Sequence, residues 1–133
     1  MIYGAYGYTG ALVAREAVRR GQRPILAGRS EQRILPLAKE LGLAHRSFDL
    51  AQAPLGLAGV SVLLNCAGPF SATARPFVEA CLQLRVHYVD ITGEVSVFQF
   101  CHSLDAQAKH AGVVLCPGAG FDIVFLRIAW RPC

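Results

Sequence analysis

The 133-residue sequence predicts an α/β domain in which a doubly wound parallel sheet of about six strands carries helices on both faces. Three observations predict it. Short apolar runs alternate with amphipathic helical patterns along the chain. The Val60–Asn65 run, VSVLLN, is apolar on both faces, as a central parallel strand is. The glycine-rich stretch GAYGYTG, Gly4 to Gly10, joins the first strand to the first helix.

Met1–Tyr3 reads as the first strand. The helix after the glycine turn places Leu12, Val13, Ala17 and Val18 on one face and Arg15, Glu16, Arg19 and Arg20 on the other, with Gly21 as its stop. Pro24–Ala27 (PILA) is the second strand. Ser30 stands at the cap of a second helix ending near Leu41 and Gly42. Pro36 inside that helix predicts a kink or a late start, because proline lacks a donor and crowds the preceding turn. Arg46–Leu50 is the third strand, Ala53–Gly59 an irregular connection and Val60–Asn65 the fourth strand. Pro76 reads as a first-turn residue of a helix bearing Phe77, Val78, Cys81 and Leu82. His87–Asp90 is strand five, Ser96–Ala111 a single helix and Val113–Cys116 strand six.

Composition narrows the function. At 53% hydrophobic and 17% charged residues, with a mean hydropathy of +0.38, the chain is too apolar for a disordered or collagen-like sequence. No apolar run reaches the ~18 to 20 residues of a membrane span, and no basic flank with a hydrophobic stretch opens the chain, so a cytoplasmic location is expected. The net charge of +4 is dispersed, which argues against a nucleic-acid partner. Cys66, Cys81, Cys101, Cys116 and Cys133 are odd in number and form no C-x-x-C pair, so neither a disulfide framework nor a metal site is expected. Cys101 and His102 are adjacent on a helix and diverge by about 100°. His45, His87, His102 and His110 are scattered, which suits core or surface roles.

Gly4, Gly7 and Gly10 form G-x-x-G-x-x-G between a strand and a helix. The first glycine permits the tight turn, the second lets backbone approach a pyrophosphate, and the third lets the helix pack on the strand. Phosphates then rest on free amides at the positive end of the helix. Gly4, Ala5, Tyr6, Gly7, Tyr8, Thr9 and Gly10 are therefore candidates for binding a dinucleotide cofactor. At the end of strand two, a carboxylate would hold the ribose hydroxyls of NAD and repel a 2′-phosphate. Arg29 stands there instead, nineteen residues after Gly10, and Ser30 follows it. A guanidinium holds phosphate by paired charge-assisted bonds, so the expected cofactor is NADP, with NADPH preferred over NADH.

Asn65, Cys66, Ala67, Gly68 and Pro69 close strand four, where ligands of open α/β sheets bind, and their small side chains leave room for a ribose and nicotinamide. Cys66 reads as a cofactor-lining thiol rather than a nucleophile, since no histidine lies within a few residues. Asp49 either contacts adenine or caps the next segment. Asp90 and Glu94 either face a substrate or cap helices. Position alone assigns no catalytic residue. No substrate is identified, and a non-catalytic NAD(P)-binding sensor or interaction module is the alternative to an enzyme.

The stretches GAYGYTG, LAGR, LLNCAGPF, HYVDITGE and LCPGAGFD, spread in order from Gly4 to Asp122, resemble the saccharopine dehydrogenase-like oxidoreductases, including bacterial trans-acting enoyl reductases. The resemblance implies a Rossmann-type NADP-binding domain over residues 1–124. Gly4, Gly7 and Gly10 then lie at the pyrophosphate, Arg29 near the 2′-phosphate and the Asn65–Phe70 loop near the nicotinamide ribose. Tyr6 stands where a threonine or other small residue is usual, and Arg85 ends a helix where glycine is usual. After Asp122 the resemblance implies a second domain for substrate contacts and homodimerisation, whereas residues 125–133 read FLRIAWRPC. That stretch is expected to be an aberrant, frame-shifted tail, with the substrate domain absent.

Overall fold

The computed structural model describes residues 1–120. Strand β1 (Ile2–Tyr3) leads through the glycine turn into α1 (Tyr8–Arg19), followed by β2 (Leu26–Gly28), α2 (Glu31–Leu41) and β3 (His45–Ser47). A 3-10 turn (Leu50–Gln52) and the short α3 (Ala53–Gly56) lead to β4 (Val62–Asn65) and α4 (Phe70–Leu84). The remaining elements are β5 (His87–Asp90), α5 (Val95–Ser103), α6 (Asp105–Ala111) and β6 (Leu115–Cys116). The strands form one six-stranded sheet in the order β3-β2-β1-β4-β5-β6, and every neighbouring pair is parallel. Strand order reverses between β1 and β4, which opens a crevice at their carboxyl ends.

Period-two alternation along the strands sends side chains to two cores. Ile2 and Leu26 pack with Ile34, Leu37 and Leu43 beneath α1 and α2. Tyr3, Ala27, Leu63 and Tyr88 pack on the opposite face with Phe48, Leu57, Phe77 and Val78. Tyr3 anchors that second core: its ring centroid lies 4.6 Å from that of Phe77 and 5.2 Å from that of Phe48. Its hydroxyl donates to the Phe48 carbonyl oxygen at 3.0 Å.

Several sequence expectations shift. The buried stripe of α1 is Gly10 and Ala14, whereas Leu12 is 50% exposed, because close seating of the helix depends on small residues there. The structure has no late start of α2, which runs from Glu31 with Pro36 inside it; α4 begins at Phe70, so Pro76 is an interior residue and not a first-turn one. Both prolines are tolerated for the same reason. Each orphans the carbonyl four residues back, at Gln32 or Ala72, and both of those residues are exposed to water. The helix expected over Ser96–Ala111 is two helices. The Leu104 amide donates to the Cys101 carbonyl three residues back and the Ser103 hydroxyl to that of Phe100, which tightens the chain before Asp105 opens α6. The strands are shorter than their apolar runs, with Leu50 in the 3-10 turn and Val113 outside β6. Expectations for Asp122 and for the 125–133 tail fall outside the described residues.

Arg85 terminates α4 in the left-handed conformation, at φ 57° and ψ 44°. Among the described residues it is the one non-glycine with positive φ. Arg85→Gly is expected to stabilise the domain by about 1 kcal/mol, since the β-carbon is what opposes that conformation. Urea denaturation of the two proteins checks this; an unchanged or lowered midpoint contradicts it.

Candidate functional site: a dinucleotide crevice

The crevice between β1 and β4 is built by glycine. Gly4 turns the chain at φ +78°, and its amide and that of Ala5 both donate to the Ala27 carbonyl, at 2.8 and 3.1 Å. A β-carbon on Gly4 would come within 2.9 Å of the Ala67 nitrogen and the Cys66 carbonyl carbon. The β1–α1 turn and the loop after β4 therefore touch backbone to backbone. A β-carbon on Gly10 would overlap the Gly4 carbonyl oxygen and come within 2.9 Å of the Ala5 α-carbon, so the first turn of α1 seats directly on the turn below it. Gly7 is the N-cap of α1; a β-carbon there would lie 3.2 Å from the Gly4 carbonyl oxygen. No side chain caps α1, and no acidic residue occupies its first turn. The helix-start amides of Tyr8, Thr9 and Gly10 are thus left to an external acceptor, next to the positive end of the helix dipole. This donor set fits a pyrophosphate.

The loop after β4 is fixed from within by a chain of buried hydrogen bonds. Asn65 is fully buried. Its Nδ2 donates to the Thr73 hydroxyl at 3.0 Å and to the Tyr88 hydroxyl at 3.3 Å, and its Oδ1 accepts from the Ala67 amide at 3.0 Å. Thr73 in turn donates to the Ala67 carbonyl at 2.7 Å. Tyr88 donates to Asp90 Oδ2 at 2.7 Å, while Asp90 Oδ1 accepts from the amides of Thr92 at 3.0 Å and Gly118 at 2.8 Å. Burial, reinforced by the neighbouring Asp90, raises the Tyr88 phenol far above its ordinary value, so it remains a donor. Asn65 therefore shapes the loop and presents Cys66, Ala67, Gly68 and Pro69 to the crevice, with its own polar atoms already engaged. The Gly68–Pro69 peptide is cis.

Glu94 closes the arrangement. Its two carboxylate oxygens accept from the amides of Phe70 at 2.7 Å and Ser71 at 2.8 Å, the opening residues of α4. Hydrogen bonds from Ser71 and from the Phe70 amide hold this carboxyl below its ordinary value of 4.5. Of the two roles open to Asp90 and Glu94, Glu94 caps a helix, although one that precedes it by more than twenty residues. Asp90 joins β5 to the segment after β6. Burial, with Asp90 adding to it, pushes the Cys66 thiol up to about 11, where it is a poor nucleophile.

The carboxyl end of β2 is cationic. Arg29 is exposed, and Ser47 Oγ donates to its carbonyl at 3.2 Å. Ser30 is the N-cap residue of α2, yet its hydroxyl makes no capping bond. Asp49 caps the 3-10 turn: its Oδ1 accepts from the Gln52 amide at 3.1 Å, and Gln52 Oε1 accepts from the Asp49 amide at 3.3 Å. Tyr6 lies across Gly28, with the Arg33 guanidinium 4.3 Å above its ring. Among the described residues no three metal-ligating side chains converge, and no helix is long and apolar enough to cross a membrane.

Residues 1–116 match the family model described as the saccharopine dehydrogenase NADP binding domain. The chain belongs to that family. It is 33% identical over 138 residues to a trans-acting enoyl reductase of Mycobacterium tuberculosis, covering 93% of the chain and 32% of the relative. It is 26% identical over 147 residues to a saccharopine dehydrogenase-like oxidoreductase of Bos taurus, covering 93% of the chain and 34% of the relative. The chain thus spans about a third of the length of these relatives. In fold it superposes on apo saccharopine dehydrogenase of Saccharomyces cerevisiae with a TM-score of 0.76 at 18% identity, over 91% of this chain and 27% of that one. A short-chain dehydrogenase/reductase of Vibrio parahaemolyticus gives 0.70 at 15% identity, over 88% and 74% of the two chains. At those identities the likeness is one of fold.

Sequence reasoning passed over Thr73, Tyr88, Thr92 and Arg33. The first three carried a signal in retrospect: polar residues inside apolar runs, which must find partners when buried. Tyr88→Phe is expected to destabilise the NADP-binding domain by ~1–3 kcal/mol, because it leaves Asp90 and Asn65 each one partner short. A denaturation midpoint equal to wild type contradicts this. Glu94→Gln is expected to lower the melting temperature at pH 7. A carboxyl whose folded-state value is depressed stabilises above its unfolded value, and that stabilisation disappears as pH falls through the folded value. The gap between wild type and variant must therefore close below pH 4.5. A gap independent of pH contradicts the cap.

Proposed function

We propose that the chain binds NADPH in preference to NADH, across the Gly4–Gly10 turn, the β2 end and the Asn65–Pro69 loop. It then serves as the cofactor domain of an oxidoreductase in which hydride passes between the nicotinamide and a substrate. The observation that carries this is the pairing of an uncapped, glycine-seated helix start with a β2 end that offers Arg29 and Ser30 and no carboxylate. Arg29 and Ser30 would hold a 2′-phosphate by charge-assisted bonds, the amides of Tyr8, Thr9 and Gly10 the pyrophosphate, and Ala67 and Gly68 the ribose beside the nicotinamide. When bound, the cofactor supplies the hydride; this chain's residues bind and orient it. The names of the relatives support an enoyl or related unsaturated compound as the substrate class. The free thiols of Cys66, Cys81, Cys101 and Cys116 suit a reducing, cytoplasmic setting.

A second reading follows from the hydrogen-bond network: a non-catalytic NADPH-binding module. Tyr88, Asp90 and Glu94, the groups near the crevice capable of acid–base work, are all engaged within the fold. Steady oxidation of NADPH by the purified chain with an enoyl or carbonyl compound would exclude this reading. The primary test is titration with both cofactors. Wild type is expected to bind NADPH about tenfold or more tightly than NADH, and Arg29→Glu to abolish that preference. Equal affinities in wild type contradict the proposal.

A further inference from the structure

We propose that Tyr6 and Arg33 are specificity determinants for the 2′-phosphate: Arg33 acts with Arg29 as a two-guanidinium clamp, and Tyr6 positions Arg33. The inference rests on the NADPH reading above and deepens it.

Four observations carry it. The first is the seat of the Tyr6 ring. A β-carbon on Gly28 would lie 2.6 Å from Tyr6 Cε1, 3.3 Å from Cδ1 and 3.4 Å from Cζ, so the bare backbone of Gly28 is what lets the ring lie over the end of β2. Gly28 has no positive φ, so its role here is space and not backbone conformation. The second is the cation–π contact. The Arg33 guanidinium carbon lies over the Tyr6 ring, 4.3 Å from its centroid, so the ring holds this cation at the end of β2.

The third is electrostatic. Among the described residues, the helical arginines Arg15, Arg19 and Arg75 each have a carboxylate within ion-pair distance, whereas Arg33 has none. Arg29 has none either. The carboxylates at hand are engaged elsewhere: Glu31 lies 3.6 Å from His45 Nε2, and Asp49 caps the 3-10 turn. The fourth is position. Arg29 immediately precedes the N-cap of α2 and Arg33 lies in its first turn, four residues on. Cations at that end oppose the helix dipole, and like charges at this spacing repel. A dianion held between the two guanidinium groups reverses both effects, and the uncommitted Ser30 hydroxyl lies between them in sequence. A small residue at position 6 would leave Arg33 without its platform.

The test uses the full chain and two pairs of ligands that differ at the 2′ position: NADPH with NADH, and 2′,5′-ADP with 5′-AMP. Arg33 is exposed, so Arg33→Gln leaves the core intact. This variant is expected to weaken NADPH and 2′,5′-ADP by about tenfold while NADH and 5′-AMP change by less than about twofold. Tyr6→Leu is expected to shift the same ratio in the same direction, and Tyr6→Phe, which keeps the aromatic face, to retain wild-type discrimination. A structural role alone would weaken all four ligands alike. If wild type discriminates and Arg33→Gln does so equally well, the clamp is overturned while the NADPH reading stands. If Arg33→Gln loses discrimination and Tyr6→Leu does not, the positioning role of Tyr6 is overturned. If wild type fails to discriminate, both readings fall together.

Discussion

Gly4 lies against Cys66 and Ala67 at a separation that has no room for a β-carbon, and the rest of the crevice depends on that contact. It occurs where the strand order reverses, so it joins the two halves of the sheet at the one edge where a ligand can lie across both. Gly10 repeats the device one step later and brings the start of α1 down onto the Gly4–Ala5 backbone. With these two approaches in place, the helix-start amides and the loop after β4 form opposite sides of one groove. A side chain at either glycine would force backbone apart, since the atoms it would strike belong to backbone and cannot rotate away.

The second half of the groove is held by polar atoms. The run from Ala67 through Asn65, Tyr88 and Asp90 to Gly118 crosses β4, β5 and the segment after β6, and each buried group in it has a partner. Such a network is rigid because breaking any link leaves a buried polar group unsatisfied. Its consequence for function is a division of labour. The side chains best suited to proton transfer are engaged in shaping the loop, whereas the groups left free are donors: helix amides, the Ser30 hydroxyl and the guanidinium groups at the end of β2. A site of free donors and engaged acceptors binds anions.

Most of the sheet is legible in the sequence because its signals are local. VSVLLN and HYVD announce β4 and β5, and the spacing of Gly4, Gly7 and Gly10 between a strand and a helix announces the turn. Arg29 is legible for the same reason, as the residue at a set distance past the glycine turn. The parts that escape are settled by distant partners. The start of α4 at Phe70 depends on Glu94, and the tolerance of Pro36 and Pro76 depends on which carbonyls face water. The break between α5 and α6 rests on a serine hydroxyl turning back to Phe100, a choice that no periodicity marks. Arg33 reads along the chain as one more surface arginine; only the ring of Tyr6 brought over Gly28 gives it a neighbour.

The most direct measurement is the amide NMR spectrum of the isotope-labelled chain during titration with NADPH. Binding as described must move the resonances of Gly7, Tyr8, Thr9, Gly10 and Ala67 together with those around Arg29 and Ser30, in one saturable process. The amides of α6, which leads into the edge strand β6, must stay still. Shifts confined to α6, or none at all at the glycine turn, would contradict the account at its centre.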